Sequence, residues 1–155
     1  MFTITKTWRD LPAAHRQHNH EGHCRLIHGH NWSFDVVFTC DILDGNGFVI
    51  DVGKLEVVRD WLKGKFDHTL LLNQDDPFRP RLQVAMDPPD LEEGKIFAQI
   101  VTVPNCGMEG LARWVFEEVT DIIRLDVRLG GRGLRVVGVT CWEDSKNRAS
   151  YAPDE

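Results

Sequence analysis

The stretch HRQHNHEGHCRLIHGHNW, residues 15–32, holds six of the seven histidines of this 155-residue chain. It runs directly into SFDVVFTC, in which apolar and polar side chains alternate as far as Cys40. Alternation with a period of two predicts a half-buried strand over 32–40. His28 and His30 stand two positions apart just before that strand, so in extended chain their side chains point to the same side.

Outward from this strand, the sequence predicts both further strands and helices. Strands are expected in the N-terminal FTITKTW, in a short segment at 48–50 after a glycine-rich turn, and in the closing LRVVGVTCWE. One helix is expected after Asp51, a capping residue, because the apolar residues that follow recur at helical spacing: Leu55, Val58, Leu62 and Phe66. A second amphipathic helix is expected over 107–123. This pattern predicts an α+β fold with a mainly antiparallel sheet.

The length of the chain favours a single domain over residues 1–155. Proline and acidic residues accumulate between the two expected helices, so we expect a long proline-rich loop at about 74–104. Both expectations describe a compact domain with one extended insertion.

Composition and charge exclude several classes of function. The chain is 42% hydrophobic and 27% charged, as in a globular protein, and its net charge is −6. A negative surface disfavours nucleic acid and anionic membranes as partners. The four cysteines form no Cys-x-x-Cys pair, and no apolar run is long enough to be a signal peptide or to span a bilayer. We therefore expect a cytoplasmic protein with reduced thiols.

The histidines predict a metal site. His15 lies near the end of the first expected strand, where sheet pairing can bring it beside His28 and His30. Three imidazoles with one open position form the usual ligand set of a catalytic zinc ion. Two alternatives remain open on spacing alone. One is a solvated histidine-rich loop, and the other is a structural zinc knot that includes Cys24.

Four sequence blocks resemble the 6-pyruvoyltetrahydropterin synthase / 6-carboxytetrahydropterin synthase family. They occur in the order AAHRQ…GHCRLIHGHNW, GFVIDVGKL, FDHTLLLN and CWEDSKNRASY. The resemblance implies the tunnelling fold (T-fold), with an antiparallel four-stranded sheet and two helices on one face. It also implies a homohexamer of two stacked trimers, and a pterin substrate, 7,8-dihydroneopterin triphosphate.

The resemblance also implies roles for individual residues. His15, His28 and His30 match the zinc ligands, and Cys24 matches the general base. The family's proton-transfer pair, usually contributed by a neighbouring subunit, matches Asp67 and His68. The carboxylate that anchors the pterin matches Glu143. A carboxylate can accept two parallel hydrogen bonds from a pterin, and a thiol beside a cation can supply a thiolate base.

The spacing of three residues between Cys24 and His28 is that of bacterial 6-carboxytetrahydropterin synthases of the queuosine pathway. The resemblance therefore favours 6-carboxy-5,6,7,8-tetrahydropterin as the product, with release of acetaldehyde and triphosphate. Two alternatives remain: the 6-pyruvoyl product of triphosphate elimination, and a non-catalytic zinc- or pterin-binding protein. One motif departs from the family, since its usual Pro-Thr-x-Glu-Asn reads Cys-Gly-Met-Glu-Gly at 106–110.

Overall fold

The computed structural model describes residues 1–86, 98–129 and 131–154. Nine helices and strands follow one another in these ranges: β1 (Thr3–His15), β2 (His28–Thr39), α1 (Glu56–Phe66), β3 (Thr69–Asn73), α2 (Arg79–Met86), β4 (Gln99–Val103), α3 (Met108–Leu125), β5 (Arg135–Trp142) and β6 (Arg148–Tyr151). Short 3-10 turns cover 23–25 and 52–55. In these described ranges, the helices are all too short or too polar to cross a membrane.

The strands form one six-stranded sheet in the order β4-β3-β1-β2-β5-β6. β1, β2, β5 and β6 pair antiparallel, whereas β3 and β4 continue the sheet from β1 in parallel. The expectation of a four-stranded sheet is therefore wrong by two strands. β3 lacks the alternation that marks a half-buried strand, because Leu70, Leu71 and Leu72 are all buried. Parallel strands covered on both faces read as continuous apolar runs.

The range 74–104 is not the single extended loop expected from its prolines. It contains α2 and β4, while residues 87–97 of that expected loop lie outside the described residues. The Asp76 side chain accepts a hydrogen bond from the Phe78 N–H at 2.8 Å ahead of α2, and Pro80 occupies the first turn, where a missing N–H costs no helical hydrogen bond. β4 is rich in β-branched residues, which favour strands.

The short strand expected at 48–50 does not form. The carbonyl oxygens of Phe48 and Val49 accept hydrogen bonds from the Arg132 guanidinium at 3.3 and 3.2 Å. The Phe48 N–H donates to the Asp44 side chain at 2.9 Å. Side chains thus take the hydrogen bonds that a partner strand would otherwise supply, and Val49 still reaches the core.

Two helices, α1 and α3, cover one face of the sheet, as expected. Asp51 accepts a hydrogen bond from the Gly53 N–H at 3.0 Å at the start of the turn that leads into α1. The Phe66 ring of α1 lies 4.6 Å from the Phe34 ring of β2 and 6.0 Å from the Trp114 ring of α3, measured between centroids. α2 is an additional helix, and none of its residues is buried.

The core face of β2 leads to the histidines. Trp32, Phe34, Val36 and Phe38 are fully buried on that face. Since side chains of a strand alternate between faces, His28 and His30 continue the same row beyond Trp32. The histidine cluster therefore lies at one end of the hydrophobic core.

Candidate metal centre

The pairing of β1 with β2 brings three imidazoles together. His15 is the direct partner of His28 in the antiparallel ladder, and Ala13 is the partner of His30. Directly opposed residues project from the same face of a sheet. The ring centroids of His15 and His28 lie 4.6 Å apart, those of His28 and His30 4.9 Å, and those of His15 and His30 5.2 Å.

Glu143 joins this cluster from the neighbouring strand. Trp142 at the end of β5 pairs with Ser33 of β2, so the next residue lies beside the histidine end of β2. The Oε1 atom of Glu143 lies 3.0 Å from Nε2 of His30 and 3.3 Å from Nε2 of His15. One ligand atom from each of the three histidines and from Glu143 lies within 4.8 Å of the other three.

Two backbone carbonyls determine which nitrogen of His15 and of His28 carries the proton. Nδ1 of His15 lies 2.9 Å from the carbonyl oxygen of Cys106, and Nδ1 of His28 lies 2.7 Å from that of Leu26. A carbonyl oxygen can only accept, so each Nδ1 donates and each Nε2 keeps a free lone pair. Neutral imidazoles held in this way are ready to bind a metal.

The Nε2 atoms of His15 and His30 are buried and have no hydrogen-bond partner. The nearby carboxylate oxygen does not satisfy them, because its approach lacks hydrogen-bond geometry and the His15 nitrogen has no proton to donate. Converging acceptors without a proton between them repel one another unless a cation lies among them. Three imidazoles and a carboxylate are donors that zinc accepts, so the residues fit a zinc ion.

Burial keeps His15 neutral. It lowers the pKa of His15 from 6.5 to about 4; the hydrogen bond to Cys106 opposes this shift, and the electrostatic influence of the neighbouring His28 and His30 adds to it. His15 is only 3% exposed. Its ring is therefore uncharged at neutral pH, as metal coordination requires.

Trp32 forms the floor of the cluster. Its ring contacts His15 edge-on, with centroids 4.9 Å apart, and lies 5.5 Å from His30. The indole Nε1 donates to the Ala13 carbonyl at 3.1 Å, which fixes the ring against β1. A buried, rigid tryptophan limits the rotamers open to both histidines.

A cleft of about 470 Å³ opens beside the cluster and is lined by His30, Glu143 and Trp142. Its lining also includes Arg9 and Asp10, at a β-bulge where the pairing of β1 with β2 shifts register. Asp10 has a positive φ of 59°, and bulges next to functional sites commonly redirect side chains. Sequence reasoning missed both residues, since no local pattern marks a bulge here.

The three expected catalytic residues lie outside the cluster of four ligand residues. Cys24 is half-buried in the 3-10 turn that precedes β2, and its thiol is free. His68 donates through Nδ1 to the Asp67 carboxylate. The His68 side chain is 85% exposed and lines an open cleft of about 510 Å³ together with His30. One chain thus brings together the expected metal ligands and Glu143, while Cys24, Asp67 and His68 contribute no atom to this cluster.

A sequence model described as 6-pyruvoyl tetrahydropterin synthase matches residues 3–154. The chain belongs to this family. The match spans every helix and strand described above, including the histidines of β1 and β2 and Glu143 after β5.

Curated relatives are named 6-carboxy-5,6,7,8-tetrahydropterin synthase. The one from Rickettsia typhi is 35% identical over 68 residues, which cover 43% of this chain and 49% of the relative. A protein of Halobacterium salinarum, named as a probable synthase of this kind, is 38% identical over 84 residues, 51% of this chain and 52% of the relative. The chain therefore spans about half the length of the curated relatives it matches.

Solved structures share the fold of this chain. An uncharacterized protein from Wolinella succinogenes superposes with a TM-score of 0.79 at 22% identity, covering 99% of this chain and 98% of that one. The 6-pyruvoyl tetrahydropterin synthase of Caenorhabditis elegans superposes with a TM-score of 0.59 at 23% identity, with coverage of 99% and 98%. The overall fold is thus one that this chain shares with these two solved structures.

Proposed function

We propose that this chain is a zinc-dependent lyase that converts 7,8-dihydroneopterin triphosphate to 6-carboxy-5,6,7,8-tetrahydropterin, with release of acetaldehyde and triphosphate. The convergence of His15, His28, His30 and Glu143 at the end of the core carries this proposal. The names of the curated relatives support the carboxy product over the pyruvoyl product. In bacteria this product is a precursor of queuosine.

The three histidines are the proposed zinc ligands. Bound zinc would supply a Lewis acid that polarises the side-chain hydroxyls of the substrate and acidifies the adjacent C–H bond. The protein contributes the geometry, since backbone carbonyls hold the Nδ1 atoms of His15 and His28 and direct Nε2 of each ring toward the cluster. Trp32 closes the site on the core side and excludes water there.

Glu143 is the proposed pterin anchor. Its side chain is 20% exposed and borders both the cluster and the 470 Å³ cleft. Its carboxylate can accept two hydrogen bonds, from the exocyclic amino group and from a ring N–H of a pterin. A pterin held in this way would direct its side chain toward the histidines.

Cys24 is the proposed general base, which removes a proton from the substrate side chain as a thiolate. His68 would accept and return protons, with its Nδ1 held by Asp67 so that Nε2 faces outward. The exposure of His68 favours its action on a neighbouring subunit's site. A hexamer assembled from trimers, in the cytoplasm, is the arrangement we propose on the basis of the sequence resemblance.

The decisive experiment is the incubation of zinc-loaded protein with dihydroneopterin triphosphate, followed by identification of the products by mass. We expect 6-carboxytetrahydropterin together with acetaldehyde. A pyruvoyl product without acetaldehyde would show that the chain catalyses the other reaction of the family, triphosphate elimination. An unchanged substrate at full zinc occupancy would refute the enzymatic proposal and leave a binding protein.

A further inference from the structure

A chain of three side-chain amides, Gln17, Asn73 and Asn105, lies behind His15, and we propose that it positions this residue for metal binding. These three residues are referred to below as the amide clamp. The inference rests on the proposed metal site, but it concerns residues outside the proposed set of zinc ligands.

The clamp acts on the carbonyl group that holds His15. Cys106 lies between β4 and α3, so no ladder or helical hydrogen bond fixes its carbonyl group. The peptide unit that contains this carbonyl also contains the Gly107 N–H, which donates to Asn105 Oδ1 at 2.7 Å. From the other side, the Cys106 N–H donates to Asn73 Oδ1 at 2.6 Å. Both asparagines therefore fix the orientation of the carbonyl that accepts from His15 Nδ1.

Gln17 joins the two asparagines. Its Oε1 accepts from Asn73 Nδ2 at 3.1 Å, and its Nε2 donates to Asn105 Oδ1 at 3.1 Å. The Asn73 Nδ2 group also lies 3.3 Å from Nδ1 of His18, a possible second acceptor. The backbone N–H groups of Cys106 and Gly107 lie at the two ends of this series of amides, and each must face an amide oxygen. These two groups therefore determine the orientation of all three amides. Reversing any one of the three amides would place two donors or two acceptors against each other.

Two glycines of the motif that departs from the family pattern lie against the clamp. A Cβ atom at Gly107 would lie 2.9 Å from Gln17 Nε2 and 3.1 Å from Asn105 Oδ1. At Gly110 it would lie 2.5 Å from Asn105 Cβ, closer than nonbonded carbon atoms approach. Glycine at 107 leaves the space that the amides of Gln17 and Asn105 occupy, and glycine at 110 leaves room for Asn105 as a whole.

The clamp connects segments on more than one side of His15. Gln17 is two residues beyond His15, while Asn73 is the last residue of β3 and is 6% exposed. It therefore links the ends of β1 and β3 to the start of α3 around one imidazole. Hydrogen-bond partners behind a metal-bound histidine typically change metal affinity by about 10- to 100-fold when they are removed.

The test compares zinc affinity, measured by chelator competition, in the wild type, Asn73→Ala and Gln17→Met. We expect Asn73→Ala to weaken zinc binding about 10- to 100-fold. Gln17→Met, which keeps the shape but removes both central hydrogen bonds, should weaken it about 2- to 10-fold. Asn46→Ala is the matched control, because Asn46 is an exposed asparagine of the turn after β2 and should leave the affinity unchanged.

The second readout is the ¹⁵N NMR spectrum of the histidines in the metal-free proteins. Wild-type His15 should show the tautomer protonated at Nδ1, and both clamp variants should show a mixture of tautomers. Zinc affinity within twofold of the wild type and an unchanged tautomer, in a folded Asn73→Ala protein, would overturn the proposal. If Asn73→Ala does not fold, the same two results in Gln17→Met would overturn it. A wild type that binds no zinc would refute the metal site instead, and the tautomers would still test the clamp.

Discussion

Acid should destabilise the metal-free protein through His15. In the folded chain burial lowers the pKa of His15 from 6.5 to about 4, while in the unfolded chain the residue returns to its ordinary value. Below pH 6.5 the unfolded chain therefore binds a proton that the folded chain does not bind until the pH approaches 4. The stability that this group contributes is present above pH 6.5 and is lost as the pH falls through this window. Between pH 7.5 and 4.5 the loss amounts to roughly 2 to 3 kcal/mol.

The assay is urea unfolding of the metal-free wild type and His15→Gln at pH 7.5 and 4.5. Carboxylates that titrate in the same range contribute to both proteins, so the difference between the two pH dependences reports His15 together with its coupling to His28 and His30. We expect the free energy of unfolding of His15→Gln to fall by roughly 2 to 3 kcal/mol less than that of the wild type. His23→Gln, at an exposed histidine, should behave as the wild type does. Equal pH dependences in His15→Gln and the wild type would refute the argument that burial keeps His15 neutral.

Three further outcomes are expected. Glu143→Gln should retain zinc but weaken pterin binding in equilibrium dialysis about 10- to 150-fold, because it loses a charged hydrogen bond. Unchanged pterin affinity would show that another residue anchors the pterin. Cys24→Ala should keep its fold and zinc yet lose about 10²- to 10⁴-fold in turnover, and a variant with normal turnover would show that the base is another group. Light scattering at micromolar concentration should find a hexamer, or at least a trimer, since β4 and β6 are the edge strands of the sheet formed by the described residues. A monomer would contradict this.

The elements that sequence reasoning predicted best have a clear local period. Alternation identified β2, and helical spacing identified α1 and α3, because each has one buried and one exposed face. β3 and β4 were missed for the opposite reason. β3 is buried on both faces and shows no alternation, and the β-branched run Ile100–Val103 lies beside the prolines that suggested a loop. The strand expected at 48–50 does not form because its carbonyl groups bind Arg132, which lies more than 80 residues away in sequence.

The candidate site was predictable in part. The spacing of His28 and His30 showed that they share a face, but only the register of β1 on β2 places His15 opposite His28. The place of Glu143 in the cluster depends on the register of β5 on β2, which no local pattern determines. The amide clamp could not be predicted for the same reason, since its members come from three segments that are far apart in the sequence.

The most direct test of the metal centre is zinc X-ray absorption spectroscopy on the purified protein. Three imidazole ligands predict nitrogen and oxygen scatterers alone, at about 2.0–2.2 Å, with roughly one zinc per chain. The signal should be lost with the metal in His28→Ala. A sulfur scatterer at about 2.3 Å would contradict the account, because it would place Cys24 among the ligands of a structural site rather than beside a catalytic one.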